Sequence, residues 1–388
     1  MIEGSVVVSS KGAARIARGH PWVFRSDVAR AEGVQPGATV RVQDARGRPL
    51  GFALYSSLSE IRLRMLAVGE SLPESFLEQR IDAALAWRER IAPGAEACRL
   101  VHGEADGLPS LVVDRYGEHL VVQTLSQGME ALKAEVVRVL VERLSPAGIL
   151  ERNDPRVRQL EGLDSKVGLL HGEVPPRVTV ALGGIRFEAD LWHGQKTGLF
   201  LDQRENQVMA RSYARGRVLD GFTYSGGFAL SVAQGALQVL AVDVSAEALA
   251  AVARNAELNG LANVTTREEN VFDLLHELDS RGERFDTVIL DPPAFAKSKD
   301  AIPKARRGYK EINLRALKIL NPGGCLITCS CSYHVHEADL EAILADAAVD
   351  AGVTATVVEK RRQARDHPIL LGVPETSYLK CFVLKKLG

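Results

Sequence analysis

Two cysteines of this chain stand two residues apart in the segment TCSCSYH, which runs from Thr328 to His334. Side chains at positions i and i+2 of a strand point to the same side, so Cys329 and Cys331 are expected to share a face. A structural zinc site needs four ligands, and no second pair of Cys or His at a matching spacing occurs in the sequence. A disulfide across two residues would be strained. The pair therefore serves packing, or Cys331, just beyond the apolar run, is a nucleophile.

A second reactive candidate is the acid in VILDPPAFAKSK, Val288 to Lys299, which follows another apolar run. Asp291 is expected at the carboxyl edge of a parallel sheet, where open α/β folds bind their ligands. The two prolines stiffen the turn because each fixes φ and lacks an N–H donor. Phe295 offers a face on which a nucleic-acid base could stack, and a rigid loop with a core phenylalanine is the alternative.

Two earlier segments have the pattern of a nucleoside-binding edge. VLDGFTYSGGFAL, Val218 to Leu230, predicts a strand that ends in an acid, a glycine-containing turn and a helix. Its glycines do not have the G-x-G-x-x-G spacing, which disfavours a dinucleotide and hence a nicotinamide dehydrogenase. The next strand ends at Asp243, whose carboxylate could accept both hydroxyls of a ribose, and Ser245 could cap the following helix. The two segments together favour a nucleoside cofactor without a pyrophosphate.

Alternating strands and helices from about residue 215 predict the doubly wound parallel sheet that positions these groups. The predicted strands are 217–220, 239–243, 264–268, 287–291, 325–330, 354–359 and 378–384. Residues 1–70 show short apolar runs between turn residues, which is typical of a small β-barrel, and a mixed α/β segment follows them. We therefore predict three domains, at 1–70, 71–190 and 191–388.

Composition restricts the functional classes further. The chain has 388 residues, of which 46% are hydrophobic and 25% charged, as in ordinary globular proteins. Five cysteines argue against a disulfide framework and for a reducing compartment. With no apolar run long enough for a membrane span and no signal peptide, we expect a cytoplasmic protein without a membrane partner. Residues 1–70 carry ten Lys and Arg against six Asp and Glu, a bias that fits a solvated surface or a binding face.

Five segments, VLDGFTYSGGFAL, AVDVS, NVFDLL, LDPPAFAKSK and TCSCS, resemble in this order the motifs of class I S-adenosylmethionine (SAM) methyltransferases. KGAARIARGHPWVF (11–24) and GQKTGLFLDQREN (194–206) resemble segments of the RlmI-like family, whose PUA-containing members methylate C5 of cytosine in large-subunit ribosomal RNA. The resemblance spans nearly the whole chain. It implies a Rossmann-like C-terminal domain of seven strands with the last one reversed, an N-terminal PUA-like β-barrel that docks RNA, and a mixed α/β middle domain.

The resemblance also implies a site for SAM, with S-adenosylhomocysteine (SAH) as product and no metal. At Asn270 the family usually has an aspartate that accepts from the adenine amino group, and the asparagine carbonyl can accept in the same way. The implied cofactor residues are Lys196, Thr197, Asp202, Gln203, Arg204, Asp220, Phe222, Tyr224, Gly226, Asp243, Ser245, Asn270, Val271, Phe272, Asp291 and Pro292.

By the same resemblance, catalysis is covalent and Cys331 is the thiolate that adds to C6 of cytosine. Asp291 would donate or share the proton that N3 gains, while the base that removes the C5 proton is unassigned. Phe295, Arg307 and Tyr309 are implied contacts to the base or to phosphates. The expected partner is 23S rRNA or a precursor of the large subunit, and the choice between monomer and homodimer is open.

Two alternatives remain at this point. Asp-Pro-Pro with an aromatic residue also suits methylation of an exocyclic base amine, which needs no thiol. A non-catalytic RNA-binding protein with a vestigial SAM site is the other, and the completeness of the motifs argues against it. Replacing Cys331 separates the first alternative from the C5 reaction, because only the C5 reaction requires the thiol.

Overall fold

The structure is a computed structural model that describes residues 2–296 and 298–387. It divides into two compact units. The first contains the chain up to Val180 together with Ala189–Leu199 and Asp366–Pro374. The second contains Ala181–Glu188, Phe200–Arg365 and the chain from Glu375 onward. The predicted domain boundaries after residues 70 and 190 stay a prediction.

The first unit begins with a six-stranded sheet in the order β2-β6-β5-β4-β1-β3, in which only β1 and β4 pair in parallel. Alternate side chains such as Val6, Val8, Val40 and Val42 are fully buried in its core, as expected for a sheet with one apolar face. Its elements are β1 (Ile2–Val8), α1 (Ser10–Ala17), β2 (Trp22–Phe24), β3 (Val28–Arg30), β4 (Thr39–Gln43), β5 (Pro49–Tyr55) and β6 (Ile61–Val68).

A five-stranded sheet, ordered β11-β10-β9-β8-β7, follows in the first unit, and β9 and β10 are its only parallel neighbours. Strands β12 (Arg177–Leu182) and β13 (Ile185–Asp190) pair in a separate two-stranded sheet. The strands of the five-stranded sheet and the helices between them are α2 (Phe76–Ile91), β7 (Ala97–His102), β8 (Leu111–Tyr116), β9 (His119–Thr124), α3 (Gln127–Ala131), α4 (Lys133–Leu144), β10 (Gly148–Asn153), α5 (Val157–Leu160) and β11 (Lys166–Gly172).

The second unit is built on a seven-stranded sheet in the order β16-β15-β14-β17-β18-β20-β19. Strands β14 to β18 are parallel, and β20 is antiparallel to both of its neighbours. Its elements are α6 (Arg204–Ala210), β14 (Gly216–Gly221), α7 (Gly227–Ala233), β15 (Ala236–Asp243), α8 (Ala246–Leu258), β16 (Val264–Glu268), α9 (Val271–Ser280), β17 (Phe285–Leu290), α10 (Ile302–Ile319), β18 (Leu320–Ser330), α11 (Glu337–Ala351), β19 (Ala355–Arg361) and β20 (Lys380–Lys386).

This topology confirms the predicted doubly wound sheet and the reversed last strand. The central strands read as continuous apolar runs because helices cover both faces, so that every residue of β17 from Thr287 to Leu290 is buried. The carboxyl ends of β14, β15, β17 and β18 meet at one edge of the sheet. In the described part of the chain, no helix is both long and apolar enough to cross a membrane.

Candidate active site

Asp220 ends β14 and holds the turn that follows it. Its buried Oδ2 accepts hydrogen bonds from Thr223 Oγ1 at 2.6 Å and from the backbone N–H of Ala229 in α7 at 2.9 Å. Burial raises the pKa of this carboxyl to about 7, and the charges of Asp291 and Asp243 act in the same direction. Asp220 is therefore an anchor of the loop as well as an acid at the edge of the sheet.

The turn after β14 has an unusual backbone. Phe222 and Tyr224 have φ angles of 67° and 50°, and Gly226 has 87°. Left-handed conformations are disfavoured for bulky residues, and the surrounding contacts must hold them. The ring of Tyr224 packs edge-on against Phe200 with 5.1 Å between centroids. Such a strained loop at the carboxyl edge of a parallel sheet is a candidate ligand-binding turn.

Asp243 at the end of β15 fixes the neighbouring turns. One carboxylate oxygen accepts from the N–H of Tyr224 at 2.9 Å, and the other from the N–H of Ser245 at 3.1 Å. Each oxygen still has a lone pair for a further donor. The Ser245 hydroxyl accepts from the N–H of Ala248 at 3.2 Å, so Ser245 caps α8, as the sequence predicted.

Asn270 is exposed and caps α9, since its Oδ1 accepts from the N–H of Phe272 at 2.9 Å. Val271 is buried against the end of β14, where a Cβ atom built on Gly221 would lie 2.9 Å from its Cγ1. A glycine is therefore required at that position. The capping bond leaves the Asn270 amide group and one carbonyl lone pair for a ligand.

A row of four aromatic rings runs from this turn to α10. The centroid distances are 6.4 Å from Phe222 to Phe272, 5.8 Å from Phe272 to Phe295, and 4.6 Å from Phe295 to Tyr309. Gly308 makes room for the row, because a Cβ atom there would lie 3.3 Å from the ring of Phe295. The sequence analysis missed Gly308, since a glycine within a helix shows no sign of the ring beside it.

The segment before α6 contacts the loop after β17. Gln203 is buried, donates from Nε2 to Asp291 Oδ2 at 3.0 Å, and accepts from Asn206 at 2.6 Å. Asp202 is also buried and accepts from the Tyr378 hydroxyl at 2.8 Å, while Arg204 is half-buried at the start of α6. The structure thus joins two of the predicted site segments, and it adds Asn206 and Tyr378, which the sequence analysis did not identify.

Lys196 and Thr197 belong to the first unit. Lys196 is exposed with a φ of 55°, whereas Thr197 is buried and donates to Asp114 Oδ2 at 2.6 Å. The Tyr116 hydroxyl lies 3.1 Å from Thr197 Oγ1, and burial raises the pKa of that tyrosine. Arg99 binds Asp114 through two hydrogen bonds of 2.8 Å, and these bonds hold the carboxylate that accepts from Thr197.

Of the five cysteines, Cys331 alone follows directly on the carboxyl end of a parallel strand of this sheet. It is half-buried, and its Sγ lies 3.9 Å from the carbonyl oxygen of Pro292. Cys329 is fully buried opposite Cys381 of β20, and its hydrogen bond with Cys381 together with burial raises its pKa well above the usual value. Cys329 therefore serves packing, while Cys331 adjoins the loop of Asp291 and Pro292.

Two fully buried serines flank Cys331 and are held by Tyr309. The Tyr309 hydroxyl is hydrogen-bonded to Ser330 Oγ at 3.0 Å and to Ser332 Oγ at 2.9 Å. Ser332 Oγ also accepts from the N–H of Ala296 at 3.1 Å. The predicted contact Tyr309 is thus buried behind Cys331, whereas Arg307 is exposed on the same helix. The cofactor and substrate roles of the predicted residues stay predictions.

Comparison with known proteins adds to this geometry. Residues 98–381 match the model of the S-adenosylmethionine-dependent methyltransferase family, and residues 6–67 match a PUA-like domain. Two relatives called ribosomal RNA large subunit methyltransferase I, from Shigella boydii serotype 18 and Escherichia coli O139:H28, are each 40% identical over 98% of both chains. A putative SAM-dependent methyltransferase from Streptococcus mutans shares the fold, with a TM-score of 0.83 at 22% identity over 99% of this chain and all of that one.

The edge of the sheet has groups of the types that SAM requires. The predicted partners of its ribose and adenine are Asp243, which keeps a lone pair on each carboxylate oxygen, and Asn270, which keeps its amide group. Among the described residues, no group of three or more His, Cys, Asp or Glu could hold a metal ion. The chain belongs to the S-adenosylmethionine-dependent methyltransferase family, together with the ribosomal RNA large subunit methyltransferase I proteins, and it begins with a PUA-like domain.

Proposed function

We propose that this SAM-dependent methyltransferase modifies C5 of a cytidine in large-subunit (23S) rRNA, with Cys331 as nucleophile. The observation that carries the proposal is the half-buried thiol of Cys331 at the carboxyl edge, 3.9 Å from the carbonyl oxygen of Pro292. Full-length relatives with the name ribosomal RNA large subunit methyltransferase I support the choice of RNA. A thiol at this place has a use in C5 chemistry and none in methylation of an amine.

The chemistry follows from the low nucleophilicity of C5. The Cys331 thiolate forms a bond to C6, and the electron pair of the C5–C6 double bond makes C5 nucleophilic while N3 takes up a proton. SAM supplies an electrophilic methyl group when it is bound. After methyl transfer, loss of the proton from C5 restores the double bond and expels the thiolate, and N3 returns the proton that it took up. The group that removes this proton is not assigned.

Asp291 is the proposed donor of the N3 proton. Its Oδ2 accepts from Gln203 Nε2, and its backbone N–H contacts the Gly221 carbonyl at 3.4 Å, so both ends of the residue are held. Donation requires that the carboxyl carry a proton when the thiolate adds. The charge of Asp291 raises the pKa of the neighbouring Asp220, because a second negative charge close by disfavours ionisation.

The target base must be flipped or already unpaired to reach the thiol. We propose that Phe295 stacks on it, that the exposed Arg307 contacts a phosphate, and that Tyr309 acts indirectly by holding the two serines. The PUA-like domain would dock the RNA. We further propose action in the cytoplasm on naked rRNA or a precursor particle, by a monomer or a homodimer.

The test incubates the protein with methyl-labelled SAM and unmodified large-subunit rRNA, and identifies the labelled nucleoside by mass spectrometry after digestion. Label in 5-methylcytidine is expected. Label in an N-methylated base would replace the proposal with amine methylation by the loop of Asp291 to Phe295. Absence of label from RNA would contradict the substrate.

Cys331→Ala tests the nucleophile. We expect turnover to fall by at least about a thousandfold, because the covalent route is lost, while SAM binding measured by calorimetry is retained. Cys325→Ala is the matched control, since Cys325 is half-buried in the middle of β18, six residues before Cys331. An active Cys331→Ala protein would refute the covalent mechanism.

A further inference from the structure

The strand beside β18 carries a buried lysine next to Cys331. Lys380 is the first residue of β20 and pairs with Ser330 across the antiparallel ladder. Its side chain is buried, and Nζ donates to the carbonyl oxygens of Ser332 at 2.7 Å and of Tyr378 at 2.9 Å. Because Ser332 follows Cys331 directly, this ammonium group is fixed to the segment that carries the thiol.

The charge of Lys380 needs an explanation, because burying an ammonium group is costly unless an anion compensates it. Its two hydrogen-bond acceptors are neutral carbonyls. Burial lowers the pKa of Lys380 to about 8, and the negative charges of Cys331 and Asp339 act against that change. Asp339 of α11 already forms an ion pair of 3.0 Å with Arg306 of α10, whereas Cys331 adjoins Ser332, to which the ammonium group is hydrogen-bonded.

We propose that Lys380 is a positioning residue that fixes the Cys331 segment and stabilises the thiolate form of Cys331 through its positive charge. The role rests on the proposed function of Cys331 as nucleophile. When the thiol ionises, its proton leaves to solvent and the ammonium compensates the new negative charge. When the thiolate forms a bond to C6 that charge is consumed, and it returns when the product is expelled.

The same strand offers a matched control. Lys386 lies at the other end of β20, and its Nζ also donates to two backbone carbonyls, of Leu317 at 2.9 Å and Leu320 at 2.7 Å. Burial lowers its pKa as well. Six residues of strand separate the two lysines by about 20 Å. Lys386→Gln therefore removes an equivalent charge far from Cys331.

The test measures how fast iodoacetamide alkylates Cys331 in the folded full-length protein between pH 6 and pH 10, with peptide mass spectrometry to separate the cysteines. Lys380→Gln keeps a donor for the carbonyls and removes the charge. We expect the midpoint of the pH profile to rise by about one unit and the rate at pH 7 to fall about tenfold. Cys325 is the internal reference, and Lys386→Gln should match the wild type. Coinciding profiles for Lys380→Gln and the wild type would overturn the proposal.

A reciprocal measurement covers the case in which Lys380→Gln does not fold. In protein labelled with ¹³C at lysine Cε, the NMR titration of Lys380 is compared between the wild type and Cys331→Ser. Loss of the thiolate should lower the pKa of Lys380 further, and an unchanged pKa would contradict the inference. Neither experiment requires turnover. An active Cys331→Ala protein would therefore refute Cys331 as the nucleophile, while the coupling between Lys380 and Cys331 could still be measured.

Discussion

At the scale of single residues, the buried carboxyl of Asp220 lowers the stability of the folded protein when it is ionised. Its pKa is raised from 3.8 to about 7, so the folded protein favours the neutral carboxyl. The stabilisation from this group is complete below pH 3.8 and is lost as the pH rises to about 7. Asp220→Asn keeps an oxygen for Thr223 and Ala229 and removes the charge. Without SAM, we expect the variant to melt several degrees above the wild type at pH 8, with a smaller difference at pH 5, by calorimetry.

Asp286→Asn is the control for that experiment. Hydrogen bonds from the N–H of Arg217 and from Asn321 lower the pKa of Asp286, whose charge therefore stabilises the folded state above pH 3.8. Both the folded and the unfolded pKa lie below pH 5, so the loss of stability in this variant should be the same at pH 5 and pH 8. An equal gain for Asp220→Asn at both pH values would contradict the buried charge.

The sequence predicted the acids of the site because strand ends can be recognised from apolar runs. It did not reveal the groups behind Cys331, namely Ser330, Ser332 and Lys380, because their contacts join residues 21 to 48 positions apart. Tyr309 was identified, but as a contact to substrate, whereas its hydroxyl is bound to the serines. A polar residue that is buried by tertiary packing has no periodic signal of its own.

At the scale of elements, Gly308 in α10 tests the aromatic row. Gly308→Ala gains helix propensity of about 1 kcal/mol, but its methyl group would lie 3.3 Å from the ring of Phe295. The ring and its loop must shift by a few tenths of an ångström. We expect a melting temperature within a few degrees of the wild type and a kcat at least about tenfold lower, since small misplacements are costly in catalysis.

Lys304→Ala is the control in the same helix, because that lysine is exposed. Steady-state rates on rRNA at saturating SAM measure the effect. If Gly308→Ala keeps the wild-type kcat, the position of Phe295 has no importance for the reaction.

Element boundaries followed the sequence closely where strands are apolar and less where polar groups are buried. Strand 264–268 was predicted at its observed bounds, whereas β18 begins at Leu320 rather than at the predicted residue 325. Strand β10 was missed altogether. Its residues Glu151 and Arg152 are buried and charged. Glu151 forms an ion pair with Lys133 at 2.6 Å, and Arg152 donates to the carbonyl oxygen of Leu191 at 2.6 Å. Tertiary partners override the pattern there.

At the scale of the whole molecule, charge is distributed unevenly between the ends of the chain. The net charge is −1, but residues 1–70 have four more basic than acidic residues. Asp27 and Asp44 already form ion pairs with basic side chains of that segment. Arg18 and Arg30, in contrast, are exposed and form no ion pair within the described residues. Such free cations on a PUA-like domain are available to RNA phosphates.

The double variant Arg18→Glu with Arg30→Glu therefore tests RNA docking by this domain. We expect affinity for rRNA to fall at least about tenfold and the slope of log affinity against log salt to decrease by about one to two, because each lost phosphate contact removes about 0.7 from that slope. Turnover at saturating RNA should persist, since the catalytic groups are untouched. Arg281→Glu is the control. It reverses the charge of an exposed residue after α9, at the amino edge of the seven-stranded sheet, and should leave the affinity for rRNA and its salt dependence unchanged. Equal losses in the two proteins would mean that net charge, rather than the PUA-like domain, sets the affinity for RNA.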